Sequence, residues 1–250
     1  MDRSLLSDAQ WERMAALLPG KPGDPGRHGA DNRRFLEAVL WMARTGAPWR
    51  DLDRQFGCWN SVFRRFRRWS VKGVFEKIFS AFSDDADLEY ACIDATIVRV
   101  HQHGTGARGG TYTQAIGRSR GGLSTKILAL VDALGNLVRF VLLAGQRHES
   151  IGVEPLIKGM KFDALLADKA FDSDPLRTVL DRRGAQAVIP PKANRSKPIS
   201  CDYAMYSWRH LVENFFCHLK SFRRIATRYD KTDTSYRAMI NVAATSIALR

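Results

Sequence analysis

The sequence predicts an α/β protein. A helical, helix-turn-helix-like front precedes a core with a mixed β-sheet. Three observations predict it. Residues 1–80 carry apolar residues at helical spacing, punctuated by caps and stops. Residues 88–190 alternate strand and helix patterns. Residues 203–222 form one long amphipathic helix pattern, and another follows from about Tyr236. The expected division is a helical domain at 1–80 and a sheet domain at 86–250.

In the front, Ser7 or Asp8 caps a helix that runs to Leu18 and is stopped by Pro19. The stretch GKPGDPGRHGAD reads as a loop. A helix from about Asp31 to Arg44 is broken by Gly46, and Pro48 suits the first turn of a short helix, PWRDLDRQF. Gly57 ends that helix, and Asn60 or Ser61 caps the next, SVFRRFRRWS. On this last helix Val62, Phe63, Phe66 and Trp69 share one side, and Arg64, Arg65, Arg67 and Arg68 the other. The order suits a helix-turn-helix unit with a DNA-contacting arginine face. The alternative is a small bundle with a solvated arginine face.

In the middle, LEYACIDATIVRVH is a strand, followed by a polar, glycine-rich stretch. STKILALVDALGN and LVRFVLLAGQ are two more strands, joined by a turn at Asp132 to Asn136 that pairs them antiparallel. A helix is expected over roughly 150–160. The apolar run in FDALLADKA suits a buried parallel strand. Asp174 then caps a helix with Pro175 at its first position, and AQAVIPP is a fifth strand. The resulting β-β-β-α-β-α-β-α order is ribonuclease H-like.

Composition narrows the function. The 250 residues are 45% hydrophobic, which supports a packed core and excludes general disorder. No apolar run approaches the ~18–20 residues of a membrane span. The opening MDRSLLSDAQWERM lacks the pattern of a signal peptide. Cys58, Cys92, Cys201 and Cys217 have no CxxC spacing, so reduced thiols of a cytosolic protein are expected rather than a zinc site. Lys plus Arg is 39 against 26 for Asp plus Glu, a net charge of +13. Such an excess suits a nucleic acid or a basic protein on a membrane surface, and charge alone does not choose. Arg108, Arg118 and Arg120, the front arginines, and the stretch from Arg209 to Lys231 carry much of it.

Two acidic residues stand out. Asp94 lies inside an apolar strand, where a charge is costly unless it is paired or faces a site. Asp168 directly follows Leu165, Leu166 and Ala167, at a strand end where ligand sites of α/β sheets gather. The plainer readings are a paired edge carboxylate for Asp94 and a cap or turn residue for Asp168. On the long helix Tyr206, Arg209, Glu213 and Lys220 fall within an arc of about 60° at ~100° per residue. Leu211, Phe222, Phe215, Trp208 and Leu219 take the opposite face. Such a stripe usually means a solvated face, and spacing alone leaves that reading ahead.

The stripe matches the Y-(2)-R-(3)-E-(6)-K signature and so resembles the DDE transposases of bacterial insertion sequences. IDATIVRVH and LADKAFDSDPLR resemble the segments around that family's first and second Asp. GLSTKILALVDALGN resembles its linking strands, and the helical front resembles the N-terminal domain of its IS-five group. The resemblance covers nearly the whole chain. It implies a ribonuclease H-like catalytic core with Asp94, Asp168 and Glu213 as catalytic, metal-binding carboxylates. Asp172 and Asp174 read instead as turn and cap, and Asp132 as a hairpin residue. His148 and Glu149 stand where the family often has His-Asp, and are candidates for a supporting role.

Three converging carboxylates repel unless cations intervene, so two Mg²⁺ ions are expected, with Mn²⁺ as a substitute. The resemblance implies that Asp94 bridges both ions, and that one site performs strand cleavage and then strand transfer. Arg209 can grip a phosphate with its fork, and Lys220 as a point charge. Tyr206 holds a phosphate, stacks on a displaced base, or only packs. The implied partners are double-stranded DNA, as terminal inverted repeats and target, and a second copy in a homodimeric synaptic complex. No membrane is implied, and the location is the cytoplasm, at the bacterial nucleoid. A decayed transposase that only binds DNA, or a nuclease without strand transfer, are the alternative activities. The chain stops at Arg250 within the last helix pattern, INVAATSIALR, which reads either as a clipped helix or as a coding sequence that ends early.

Overall fold

The computed structural model describes residues 6–21, 23–24, 31–83, 86–197 and 199–249. Part of the glycine- and proline-rich loop expected at 20–31 lies outside them. The helices are α1 (Asp8–Ala15), α2 (Asn32–Thr45), α3 (Trp59–Val71), α4 (Val74–Ser83), α5 (Val153–Ile157), α6 (Asp174–Arg182), α7 (Tyr203–Tyr206), α8 (His210–Lys220), α9 (Arg223–Ala226) and α10 (Asp233–Ala248). The strands are β1 (Tyr90–Val100), β2 (Gly117–Ser119), β3 (Gly122–Val131), β4 (Leu137–Ala144), β5 (Ala164–Ala167), β6 (Gln186–Val188) and β7 (Thr227–Arg228). Two compact units form: one from Met1–Phe82, Arg99–Gln114 and Leu219–Arg250, the other from Ser83–Val98 and Ala115–His218.

In the helical unit the caps follow the sequence. Ser7 Oγ accepts the Gln10 N–H while the Gln10 side chain accepts the Ser7 N–H, a reciprocal capping box. Asp31 caps α2, which ends at Gly46 in the left-handed region, φ +69°. The expected short helix is two 3₁₀ turns, Trp49–Asp51 and Arg54–Phe56. Residues 46–58 are therefore a longer connection than the three or four residues of a tight helix-turn-helix. α3 begins after Cys58, slightly before the expected Asn60 or Ser61, and Cys58 makes no side-chain cap. Aromatic packing fills the centre: Phe35 meets Trp69 edge-on at 4.9 Å, and Phe66 lies 5.5 Å from Phe75.

The last helix belongs to this unit. α10, capped by Thr232, buries Tyr236, Met239, Ile240 and Ala243 and packs against α2 and α3. The linear division at 80/86 follows chain order, whereas burial of this apolar helix groups the chain's two ends. Before α10 the structure adds α9 and β7, and β7 pairs in parallel with Arg99 and Val100. Neither element has an apolar period long enough to read from sequence. Arg228 is fully buried there, its Nη2 2.8 Å from Asp233. Arg224 pairs with Asp230 at 3.2 Å, both buried.

In the other unit the sheet order is β2-β3-β1-β5-β6, with β4 also paired to β3. β3 and β4 run antiparallel as expected, and β5 is parallel to both β1 and β6. This is the mixed sheet that the ribonuclease H-like order predicts. Asp132 closes the β3–β4 turn by accepting the N–H groups of Leu134 and Asn136. Ala91 and Ile93 of β1 join Leu128, Leu130, Leu165 and Ala167 in a core covered by Leu156 and Leu180. The helix expected at 150–160 is a 3₁₀ turn followed by the five-residue α5.

The long helix expected at 203–222 is not continuous. A 3₁₀ turn at Ser207–Arg209 separates α7 from α8, and the buried Phe222 lies beyond α8. A 3₁₀ turn has 3.0 residues per turn, so it rotates the faces on either side. Trp208, expected on the apolar face, is consequently 50% exposed.

Candidate active site

The parallel register of β1 and β5 assembles the first two carboxylates. The paired residues end at Ile93 and Ala167, and Asp94 and Asp168 come next on each strand. Buried neighbours fix this register: Ala91, Ile93, Leu165 and Ala167 have no solvent exposure. Asp168 leads into a 3₁₀ turn at Lys169–Phe171, and its side chain makes no capping bond, so it does not serve as the cap of that turn.

Arg209, in the 3₁₀ turn before α8, joins the third carboxylate to the first. Its Nη1 donates to Asp94 Oδ2 at 2.8 Å, and its Nη2 donates to Glu213 Oε1. The Arg209 side chain is 19% exposed, against 24% for Asp94 and 52% for Glu213. The stripe is therefore no uniformly solvated face, because its arginine is turned onto the sheet. Burial pushes the Asp94 carboxyl up, the Ala95 N–H and Arg209 oppose that, and Asp168 adds to it. Burial alone would lower Arg209, but Asp94, Glu213 and Tyr206 more than offset it and raise it. Tyr206 lies with its ring 5.8 Å from the Arg209 guanidinium, and burial raises its phenol. Beneath the site, burial pushes the Cys92 thiol up to about 12. Lys220, the last residue of α8, is exposed.

The donor set has the chemistry of a hard divalent cation site, since all three candidate ligands are carboxylates and two directly follow the last residues paired between adjacent strands. Among the described residues, however, no three His, Cys, Asp or Glu side chains come together as a ready ligand group. The convergence expected from sequence is incomplete: the Arg209 guanidinium stands between Asp94 and Glu213 and pairs with both, one positive charge against two negative ones.

Other residues take different places from those expected. Asp172 is more than a turn residue. It is buried and accepts from Arg177 Nε at 2.8 Å, Arg195 Nε at 2.6 Å, Arg195 Nη2 at 2.8 Å and the Lys192 N–H at 2.9 Å. Its partners are up to 23 residues away, so no local pattern reveals them. Ser173 rather than Asp174 holds the N-cap position of α6, and Asp174 pairs with Arg195. Glu149 pairs with Lys126 at 2.9 Å, and His148 accepts the Ser150 N–H.

The front arginines divide. Arg65 is half-buried over the rings of Phe35 and Trp69 and donates to Asn32. Arg67 donates to Thr232 Oγ1 at 3.2 Å and Ser235 Oγ at 3.0 Å. Arg64 and Arg68 are exposed. All four cysteines are free thiols. No helix among the described residues is long and apolar enough to cross a membrane.

Comparison with known proteins adds lineage to this geometry. The family described as "Transposase DDE domain" matches residues 86–248, and the one described as "Putative transposase of IS4/5 family" matches residues 6–79. A relative from Brucella ovis, "Putative transposase for insertion sequence element IS6501", is 35% identical over 130 residues, covering 51% of this chain and 100% of its own. The y4sN protein of Sinorhizobium fredii is 47% identical over 110 residues, covering 43% of this chain and 86% of its own. Among solved structures, the piggyBac transposase synaptic complex with hairpin DNA aligns at 14% identity with a TM-score of 0.47, covering 99% of this chain and 73% of that one.

Proposed function

The chain belongs to the DDE transposases of insertion sequences, and on that premise we propose that it binds the ends of its own element, cuts a strand there and joins the freed end to target DNA. The observation that carries this reading is that Asp94, inside β1, and Asp168, just past the end of β5, each follow the last residue paired between these parallel strands, with Glu213 tied to Asp94 through Arg209. Asp94, Asp168 and Glu213 would hold the divalent cations, Mg²⁺ or Mn²⁺, that this family generally uses. When bound, such cations activate water and neutralise the oxygens of an in-line displacement at phosphorus.

The chain's own residues supply the rest. The strands hold Asp94 and Asp168 rigidly through a core that excludes water from their backbones. Arg209 and Lys220 bind phosphate oxygens, and Tyr206 lies beside Arg209. Arg64 and Arg68 are the front arginines that reach the DNA backbone. We place the DNA-binding role in residues 1–80, the chemistry in 86–250, and the working form as a homodimer at the bacterial nucleoid, in the cytoplasm. The reading is tested with a labelled duplex carrying an element end and an unlabelled target in Mg²⁺. Cleavage with a joined product is expected. Binding without cleavage overturns the enzymatic reading, and cleavage without joining overturns strand transfer.

A further inference from the structure

The placement of Arg209 says more about how the site is loaded. Its guanidinium contacts Asp94 with one amino group and Glu213 with the other. These are carboxylates from a strand and a helix, 119 positions apart in the chain by their numbers 94 and 213. A planar cation that spans two carboxylates fills the space they would otherwise share through a metal ion. It also offsets half of the charge of these two carboxylates that would attract that ion. Guanidinium and divalent cation cannot occupy this place together, on grounds of volume and of like charge.

We infer that Arg209 holds the cation position in the DNA-free chain and gives it up to a DNA phosphate, so that metal loading and DNA binding favour each other. This rests on the assignment of Asp94 and Glu213 as metal ligands. The guanidinium fork fits a phosphate as well as it fits carboxylates, and phosphate offers a second anion when DNA arrives. The side chain remains 19% exposed, so its outer edge is open to solvent. Once Arg209 turns to phosphate, Asp94 and Glu213 are left as uncompensated anions, which raises their affinity for a divalent cation. Linkage requires the reverse as well: a bound cation repels Arg209 from the carboxylates and frees it for DNA. A DNA-free chain thus loads metal poorly.

The test uses the full chain, with Mn²⁺ as the probe and free Mn²⁺ followed by electron paramagnetic resonance. Six samples are compared: wild type, Arg209→Gln and Asp94→Asn, each without and with a duplex oligonucleotide, corrected by DNA-only controls. Arg209→Gln without DNA is expected to bind Mn²⁺ about tenfold more tightly than wild type, or 1.4 kcal/mol. Duplex DNA is expected to tighten wild type by a similar factor and to add little to Arg209→Gln. The DNA effect on the unmutated chain guards against a variant that misfolds. If Arg209→Gln binds no more tightly and DNA changes nothing, while Asp94→Asn still removes binding, the exchange is wrong and the ligand assignment stands. If Asp94→Asn leaves Mn²⁺ binding of the DNA-bound chain intact, the ligand assignment falls and the exchange falls with it.

Discussion

Arg195 grips Asp172 through both Nε, at 2.6 Å, and Nη2, at 2.8 Å. Together with the Lys192 N–H, this ties the segment after β6 to the turn that follows Asp168. Asp172→Ala should therefore loosen that turn and cost about 3 kcal/mol, the lower end for a broken buried pair. Urea unfolding of the two proteins measures it. An unchanged midpoint would show that the clamp is dispensable.

The same carboxylate gives a pH signature. Arg195, opposed by burial and helped by Lys192 and Arg177, holds Asp172 well below the usual carboxylate range. A depressed value stabilises the fold fully above the unfolded value of about 3.9, and the contribution is lost as pH falls below it. The stability gap between wild type and Asp172→Asn should be constant from pH 7 to about 5 and shrink toward pH 2. Denaturation midpoints across that range read it out.

Asp94→Asn, Asp168→Asn and Glu213→Gln should each bring metal-dependent strand cleavage to background while the duplex is still bound. Cleavage and gel-shift assays on the same preparations separate the two effects. Full cleavage by any of the three would remove that residue from the site.

The front arginines should behave as two pairs. Arg64→Ala with Arg68→Ala should flatten the slope of log affinity against log salt by about 1.8, two phosphate contacts at ~0.9 each. Arg67→Ala should mainly cost stability, about 1–2 kcal/mol, because its bonds to Thr232 and Ser235 are lost. Salt titration of binding, beside thermal unfolding, distinguishes the pairs. Equal effects of Arg67 and Arg68 on the salt slope would contradict the division.

Arg224 and Asp230 form a buried pair at 3.2 Å, and Arg224 also donates to the Ala47 carbonyl at 3.0 Å. Asp230→Ala strands a buried guanidinium and should cost about 3–5 kcal/mol. Arg224→Met with Asp230→Leu should cost less than that single change, since no charge is left unpaired. Calorimetric unfolding of both variants checks the order.

What the sequence reveals is local. Ser7, Asp31 and Gly46 announce helix ends because caps act within four residues. Ala164 to Ala167 announces a buried strand through its apolar run, and Asp168 is conspicuous at its end. The hydrogen-bond partners of Arg65 and Arg67 are not legible, because they lie 33 to 168 residues away and helical angles say nothing of distant packing. Trp208 is misplaced by the same method, since a single 3₁₀ turn breaks the assumed period. Arg209 is half legible: its contact with Glu213 is an i,i+4 pair, whereas its contact with Asp94 spans 115 residues.

The helical unit draws on both ends of the chain, with α10 packed against α2 and α3. Translation therefore delivers its first helices early and its closing helix last. The apolar faces of α2 and α3 wait through the synthesis of the whole sheet before α10 emerges, which gives this unit a high contact order. On the ribosome, the sheet unit can close while the helical unit is still open. A nascent chain thus completes its helical unit only after its sheet.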